Sequence, residues 1–143
     1  MSIWRTYYHL VWATYNRLPL ISEASESELY CRITSKCESM ECRLYAIGGI
    51  ADHVHLVVSI PPKLAVAEFA RQIKGSSSRF MNQRYPICQF AWQREYGVFS
   101  LGSKQLDQAI TYVQNQKSHH ASGTILRAIE PEILNHNGPN QST

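Results

Sequence analysis

Apolar and polar positions change period several times along the chain, and each change predicts an element. From Ile3 to Thr14, "IWRTYYHLVWAT" is dense in aromatic and β-branched residues, which predicts a strand ending at the polar turn "YNRLP". Ser22 stands where an N-cap would. Glu23, Glu26 and Glu28 crowd the following turn, where a helix dipole favours acids, so a helix is predicted to about Met40. Strand character resumes at Arg43 in "RLYAIGGI" and again in "ADHVHLVVSI", with only Ala51 and Asp52 to turn the chain, which predicts a hairpin. Pro61 and Pro62 stop that strand. Val66, Phe69, Ala70, Ile73, Ser77 and Phe80 then recur at helical spacing, with Gly75 and the serines 76–78 weakening the middle. "QFAWQREYGVFSL" predicts two short strands around a turn near Arg94 to Gly97. Ser103 is placed to cap a last helix, "SKQLDQAITYVQNQKSHH", with Leu106, Ala109, Ile110 and Val113 as its apolar face. After His120 the pattern weakens: "TILRAIEPEIL" allows a helix and "NHNGPNQST" predicts a disordered tail.

This order of strands and helices predicts an α+β domain, with helices packed on one face of an antiparallel sheet in a ferredoxin-like, split βαβ arrangement. The 143 residues suit one domain, taken as residues 1–120, with 121–143 as a partly disordered C-terminal extension. No apolar run is long enough to span a bilayer and no signal-peptide pattern opens the chain, so a cytoplasmic protein without membrane association is expected. Cys31, Cys37, Cys42 and Cys88 form no C-x-x-C pair and are expected to be reduced. A net charge of +3 permits a polyanionic partner without requiring one.

The candidate chemistry begins at "DHVH". Side chains alternate across a strand, so His53 and His55 point to the same face, where two imidazoles can hold one metal ion or serve as buried polar groups paired with backbone. In the last helix Tyr112 and Gln116 are four residues apart and His119 lies close to the same line, a stripe that also suits a solvated polar face. Taken together, these residues fit phosphodiester chemistry. A phenol can attack a phosphate whose charge a divalent cation offsets, and two imidazoles with an amide oxygen can hold such a cation. Asp52, next to His53, can orient that ring.

"YHLVWAT", "AIGGIADHVHLVVSI", "IKGSSSRF" and "FAWQREYGVFSLGSKQLDQAITYVQNQKSHH", in this order over Tyr7 to His120, resemble the single-tyrosine HUH transposases of small bacterial insertion sequences and their REP-associated tyrosine transposase relatives. The resemblance implies an enzyme that cuts and rejoins single-stranded DNA, with hairpin ends, through a covalent 5′-phosphotyrosine. Tyr112 would be the nucleophile, and His53, His55 and Gln116 the ligands of Mg²⁺ or Mn²⁺. Because "QKSHH" departs towards the REP-associated subgroup, His119 stands as an added or alternative ligand. The resemblance also implies a homodimer, in which the tyrosine helix can serve its own or the partner's histidines. Gly102, before that helix, is a candidate hinge.

DNA held as a single strand needs cations along its phosphates and aromatic rings under its bases. Arg71, Lys74 and Arg79, gathered on one predicted helix beside Gly75, are the first candidates for the cations, followed by Arg5; Trp12 is a candidate for stacking. Two rival readings stand beside the enzyme: a hairpin-DNA-binding protein that no longer cleaves, and a ferredoxin-like RNA binder without metal.

Overall fold

The computed structural model describes residues 2–117. In chain order the elements are strand β1 (Tyr7–Ala13), helix α1 (Glu23–Ser39), strands β2 (Arg43–Ile50) and β3 (His53–Ser59), helix α2 (Val66–Arg84), strand β4 (Gly97–Leu101) and helix α3 (Leu106–Gln114). The sheet order is β2-β3-β1-β4 with every neighbouring pair antiparallel. The α+β class and ferredoxin-like order are therefore as the pattern predicts.

Local chemistry accounts for the boundaries that match. Ser22 caps α1, its Oγ accepting the Ser25 amide at 3.1 Å while Ser25 Oγ accepts the Ser22 amide at 3.0 Å. The β2–β3 hairpin turns at residues 51–52. Its turn is pinned from outside, where Thr14 N–H donates to the Asp52 carbonyl and Ile21 N–H to that of Ala51. The chain thus holds His53 at the very start of β3 against a fixed backbone.

Alternation divides the sheet into two buried faces. Leu10, Trp12, Val54, Leu56 and Val58 pack with Leu29 and Ile33 of α1 and Phe69, Ile73 and Met81 of α2. The placement of helices on one face holds for α1 and α2, whereas α3 lies on the other face, where Ala109, Tyr112 and Val113 pack against Ala46 and Val57. Helical periodicity shows that α3 has an apolar face; the choice of side follows from small residues in β2 that leave room for it.

Five boundaries differ from expectation, the last being the end of α3, which stops at Gln114 instead of carrying Gln116. β1 begins at Tyr7 rather than Ile3, because its partner β3 ends opposite it at Ser59. α2 runs unbroken through Gly75–Ser78, where Ser77 Oγ donates to the Ile73 carbonyl and accepts from Trp92 Nε1. Only the second of the two strands expected in 89–101 forms; Trp92 makes an isolated bridge to Thr14 as the chain crosses the end of β1. Ser103 caps nothing: α3 starts after Gln105, whose Oε1 instead accepts the Gly102 amide at 2.8 Å. The extension 121–143, with its expected helix and tail, lies outside the described residues. Among those described, no helix is long and apolar enough to cross a membrane.

Candidate active site

Both histidines of "DHVH" are fully buried on the α3 side of the sheet. His53 Nδ1 lies 2.8 Å from Asp52 Oδ1. Arg17 Nε donates to the other carboxylate oxygen at 3.3 Å. Asn16 and Arg17 both adopt left-handed backbone, φ 52° and 53°, a costly pair of conformations for residues with side chains. That turn brings Arg17 to the Asp52 carboxylate. Burial opposes ionisation of Asp52, but the hydrogen bond to His53 and the Arg17 charge outweigh it and hold its pKa below the usual carboxylate value. An ionised carboxylate only accepts, so His53 donates through Nδ1 and turns Nε2 away from Asp52.

His55 is supported differently. Its Nδ1 lies 2.8 Å from Nε2 of His9 on β1, and the two rings stack with centroids 5.0 Å apart. The pattern reading missed His9. Its signal was its phase, since His9 shares the face of Val11 and Ala13, but only the register, which sets His9 opposite Val57, places it diagonally beside His55.

Helix α3 and the residues just past its end close the site. The Tyr112 ring meets His55 edge-on, centroids 6.1 Å apart, and Gln116 Oε1 lies 3.3 Å from His53 Nε2. Gln116 Nε2 points back to the Tyr112 carbonyl at 3.5 Å, which leaves its oxygen facing the imidazole. Thus His53, His55, Tyr112 and Gln116 come together within one chain, with Asp52 behind them. His119 lies outside the described residues.

The close docking of α3 depends on Gly48. A Cβ there would fall 2.1 Å from the Val113 carbonyl oxygen, a backbone atom that cannot yield without moving the helix. Gly48→Ala is therefore expected to lower stability by about 1–3 kcal/mol, as overpacking does, and to displace Tyr112 from His55. Urea unfolding reads the first effect and Tyr112 fluorescence quenching the second. Gly102 has no such constraint, because a Cβ there would meet only Gln105 Oε1 at 3.6 Å. Its conformation does not single out glycine as a hinge.

Two imidazoles and an amide oxygen are groups that could hold a divalent cation. Among the described residues no group of three or more His, Cys, Asp or Glu could hold a metal; the further oxygen beside the two imidazoles is that of the Gln116 amide. With Nδ1 turned to the Asp52 carboxylate, His53 directs Nε2 towards Gln116 Oε1, 3.3 Å away. That spacing suits a hydrogen bond when Nε2 carries a proton and a shared cation when it does not.

A family model described as "Transposase IS200 like" matches residues 2–116. The chain belongs to the IS200-like transposase family. It is 26% identical over 126 residues to the transposase of insertion sequence IS200 from Salmonella typhimurium, covering 84% of this chain and 82% of that one. The ISDra2 transposase TnpA of Deinococcus radiodurans is 24% identical over 121 residues, 80% of this chain and 86% of the relative. Among solved structures, a candidate transposase from Deinococcus radiodurans superposes with a TM-score of 0.67 at 24% identity, covering 80% of this chain and 93% of that one. A REP-associated tyrosine transposase bound to a REP hairpin gives 0.62 at 14% identity, covering 87% and 76%. At these identities the structures share the fold.

In this IS200-like transposase the cations expected to meet DNA have unequal surroundings. Arg71 and Arg79 are exposed and line a groove of about 550 Å³ between α1 and α2, where Arg32 and Lys36 of α1 join them. Arg32 and Lys36 were missed because no pattern shows that α1 lies beside α2. Lys74 faces another way, its ammonium donating to the carbonyls of Arg94 at 2.9 Å and Glu95 at 3.2 Å. Burial pulls its pKa down to about 8 against the upward pull of Glu95. Arg5 is exposed beyond the start of β1. Trp12 is corrected: its ring is fully buried and packs edge-on against Trp92, so it is core and not a surface for stacking bases. If the α1–α2 groove carries phosphates, Arg71→Glu with Arg79→Glu should weaken binding of single-stranded DNA at least about tenfold in low salt. Every phosphate that loses its arginine should flatten the slope of log K against log salt by about 0.7. Fluorescence anisotropy over a salt series measures both.

Proposed function

We propose that this IS200-like transposase cuts and rejoins single-stranded DNA through a covalent link to Tyr112, as a homodimer acting on hairpin-bearing ends. The observation that carries the reading is the meeting of Tyr112 with His55 and of Gln116 Oε1 with His53 Nε2 on one buried face. The Tyr112 oxygen gives up its proton and bonds to a DNA phosphorus; the bond from that phosphorus to the 3′ oxygen breaks, and that oxygen leaves as a protonated 3′ hydroxyl. A later 3′ hydroxyl attacks the phosphotyrosine, restores a phosphodiester and returns the proton to the phenol. The bond energy is kept throughout, so no nucleoside triphosphate is required.

His53, His55 and Gln116 would hold Mg²⁺ or Mn²⁺, with His119 as an added or alternative donor. The ion, when bound, supplies positive charge that polarises the phosphate and offsets charge on its oxygens. Asp52 orients His53, and Arg17 keeps Asp52 ionised. The hairpin bound by the REP-associated relative supports a DNA partner.

Incubating the protein with end-labelled hairpin DNA and Mn²⁺ should give an adduct that survives denaturant, and excess EDTA should prevent it. One observation favours a second reading, a hairpin-binding protein that does not cleave: Tyr112 is only 4% exposed and must be uncovered to meet a phosphate. Tight DNA binding with no adduct under any divalent metal would support that reading and overturn the first.

A further inference from the structure

His9 and His55 meet through their ring nitrogens behind the candidate metal site. Two such nitrogens 2.8 Å apart and buried must share one proton, since two bare lone pairs or two N–H groups would repel. There are two arrangements. His55 donates through Nδ1 to His9 Nε2, which leaves the lone pair of neutral His55 on its own Nε2. Alternatively His9 donates, and neutral His55 then carries its proton on Nε2, where no cation can bind. On a neutral His53 the Asp52 carboxylate, which accepts the hydrogen bond donated by Nδ1–H, leaves the lone pair at Nε2. Both imidazoles can offer Nε2 to one ion only in the first arrangement.

We propose that His9 is a positioning residue of the metal site, accepting the Nδ1 proton of His55 and so holding the ligating lone pair on His55 Nε2. This inference rests on the reading of His53 and His55 as metal ligands. The geometry suits the role. The two rings stack at 23° between planes, and Phe99 of β4, paired across the sheet with His9, sits 6.0 Å from the His9 ring on centroids. His9 is 2% exposed, so water does not compete strongly for its acceptor nitrogen. The site then has one ligand backed by a carboxylate and one by a neutral acceptor, which limits the negative charge built into it and leaves room for that of a DNA phosphate.

The test compares the full chain with His9→Phe, which keeps a stacked ring but no acceptor, and His9→Gln, whose amide oxygen can take the place of Nε2. Imidazole ¹⁵N shifts without metal should show His55 protonated on Nδ1 and bare on Nε2 in the parent and the Gln variant. Calorimetric titration with Mn²⁺ should show affinity about 10–100-fold weaker in His9→Phe, the loss typical of an orienting partner, with most of it restored in His9→Gln. A parent His55 protonated on Nε2 would overturn the proposal even if the Phe variant failed to fold. So would a folded Phe variant that binds Mn²⁺ as tightly as the parent. A parent that binds no Mn²⁺ would instead sink the metal-site reading, and the ¹⁵N shifts would still decide the proton's position.

Discussion

Tyr112→Phe should form no covalent DNA adduct while binding hairpin DNA within about twofold of the parent. The substitution removes one oxygen and keeps the ring that packs edge-on against His55 and within the cluster of Ala46, Val57, Ala109 and Val113. Docking of α3 should therefore survive, and with it the α1–α2 groove on the far side of the sheet. What disappears is the only atom of that side chain able to bond to phosphorus. Losing a nucleophile from a cooperating site typically removes several powers of ten in rate, so if Tyr112 is that nucleophile, strand cleavage should fall by about 10³-fold or more. Denaturing gels of labelled DNA read the adduct, and anisotropy reads binding. An adduct of normal yield from this variant would show that another group attacks.

His53→Ala should have the second large effect, by a different route. It removes an imidazole that joins Asp52 on one side to Gln116 on the other, so a single change disconnects the orienting carboxylate from the amide oxygen. If His53 is a ligand, Mn²⁺ affinity should fall by more than the 10–100-fold typical of losing an orienting partner. Adduct formation should fall with it. The buried Gln116 loses a partner, so stability should drop by about 1–3 kcal/mol. Two readouts separate these effects: urea unfolding reports the stability loss, and calorimetry at a temperature where the variant is folded reports the affinity. A folded His53→Ala protein with unchanged Mn²⁺ affinity would remove this residue from the site.

Much of this arrangement was legible in the chain because it rests on local rules. Ser22 with acids behind it marked α1, Ala51 and Asp52 marked the hairpin, and strand alternation put His53 and His55 on one face. The spacing of Tyr112 and Gln116 likewise put them on one side of the predicted helix, and they do meet the same site although α3 ends at Gln114. What stayed hidden depends on how elements distant in sequence meet. His9 joins the site only through the β1–β3 register. Gly48 read as part of a hairpin strand, yet its lack of a Cβ is what admits the Val113 carbonyl. Arg32 and Lys36 enter the basic groove only because α1 lies against α2. Trp12 shows the reverse error, since an aromatic residue on a strand has the same pattern whether it faces a base or a core.

The basic groove and the histidine site lie on opposite faces of the sheet, one formed by α1 and α2 and the other covered by α3. Binding and cleavage can therefore be separated by mutation. Arg71 and Arg79 should govern affinity, and Tyr112 and His53 should govern chemistry.

The most direct measurement is tandem mass spectrometry of the adduct formed with Mn²⁺ and trimmed by nuclease. The expected result is a nucleotide phosphate on Tyr112, absent when EDTA is present or when His53 is alanine. A nucleotide on any other residue, or one on Tyr112 in equal yield without metal and without His53, would contradict a single site built from the tyrosine and the imidazole pair.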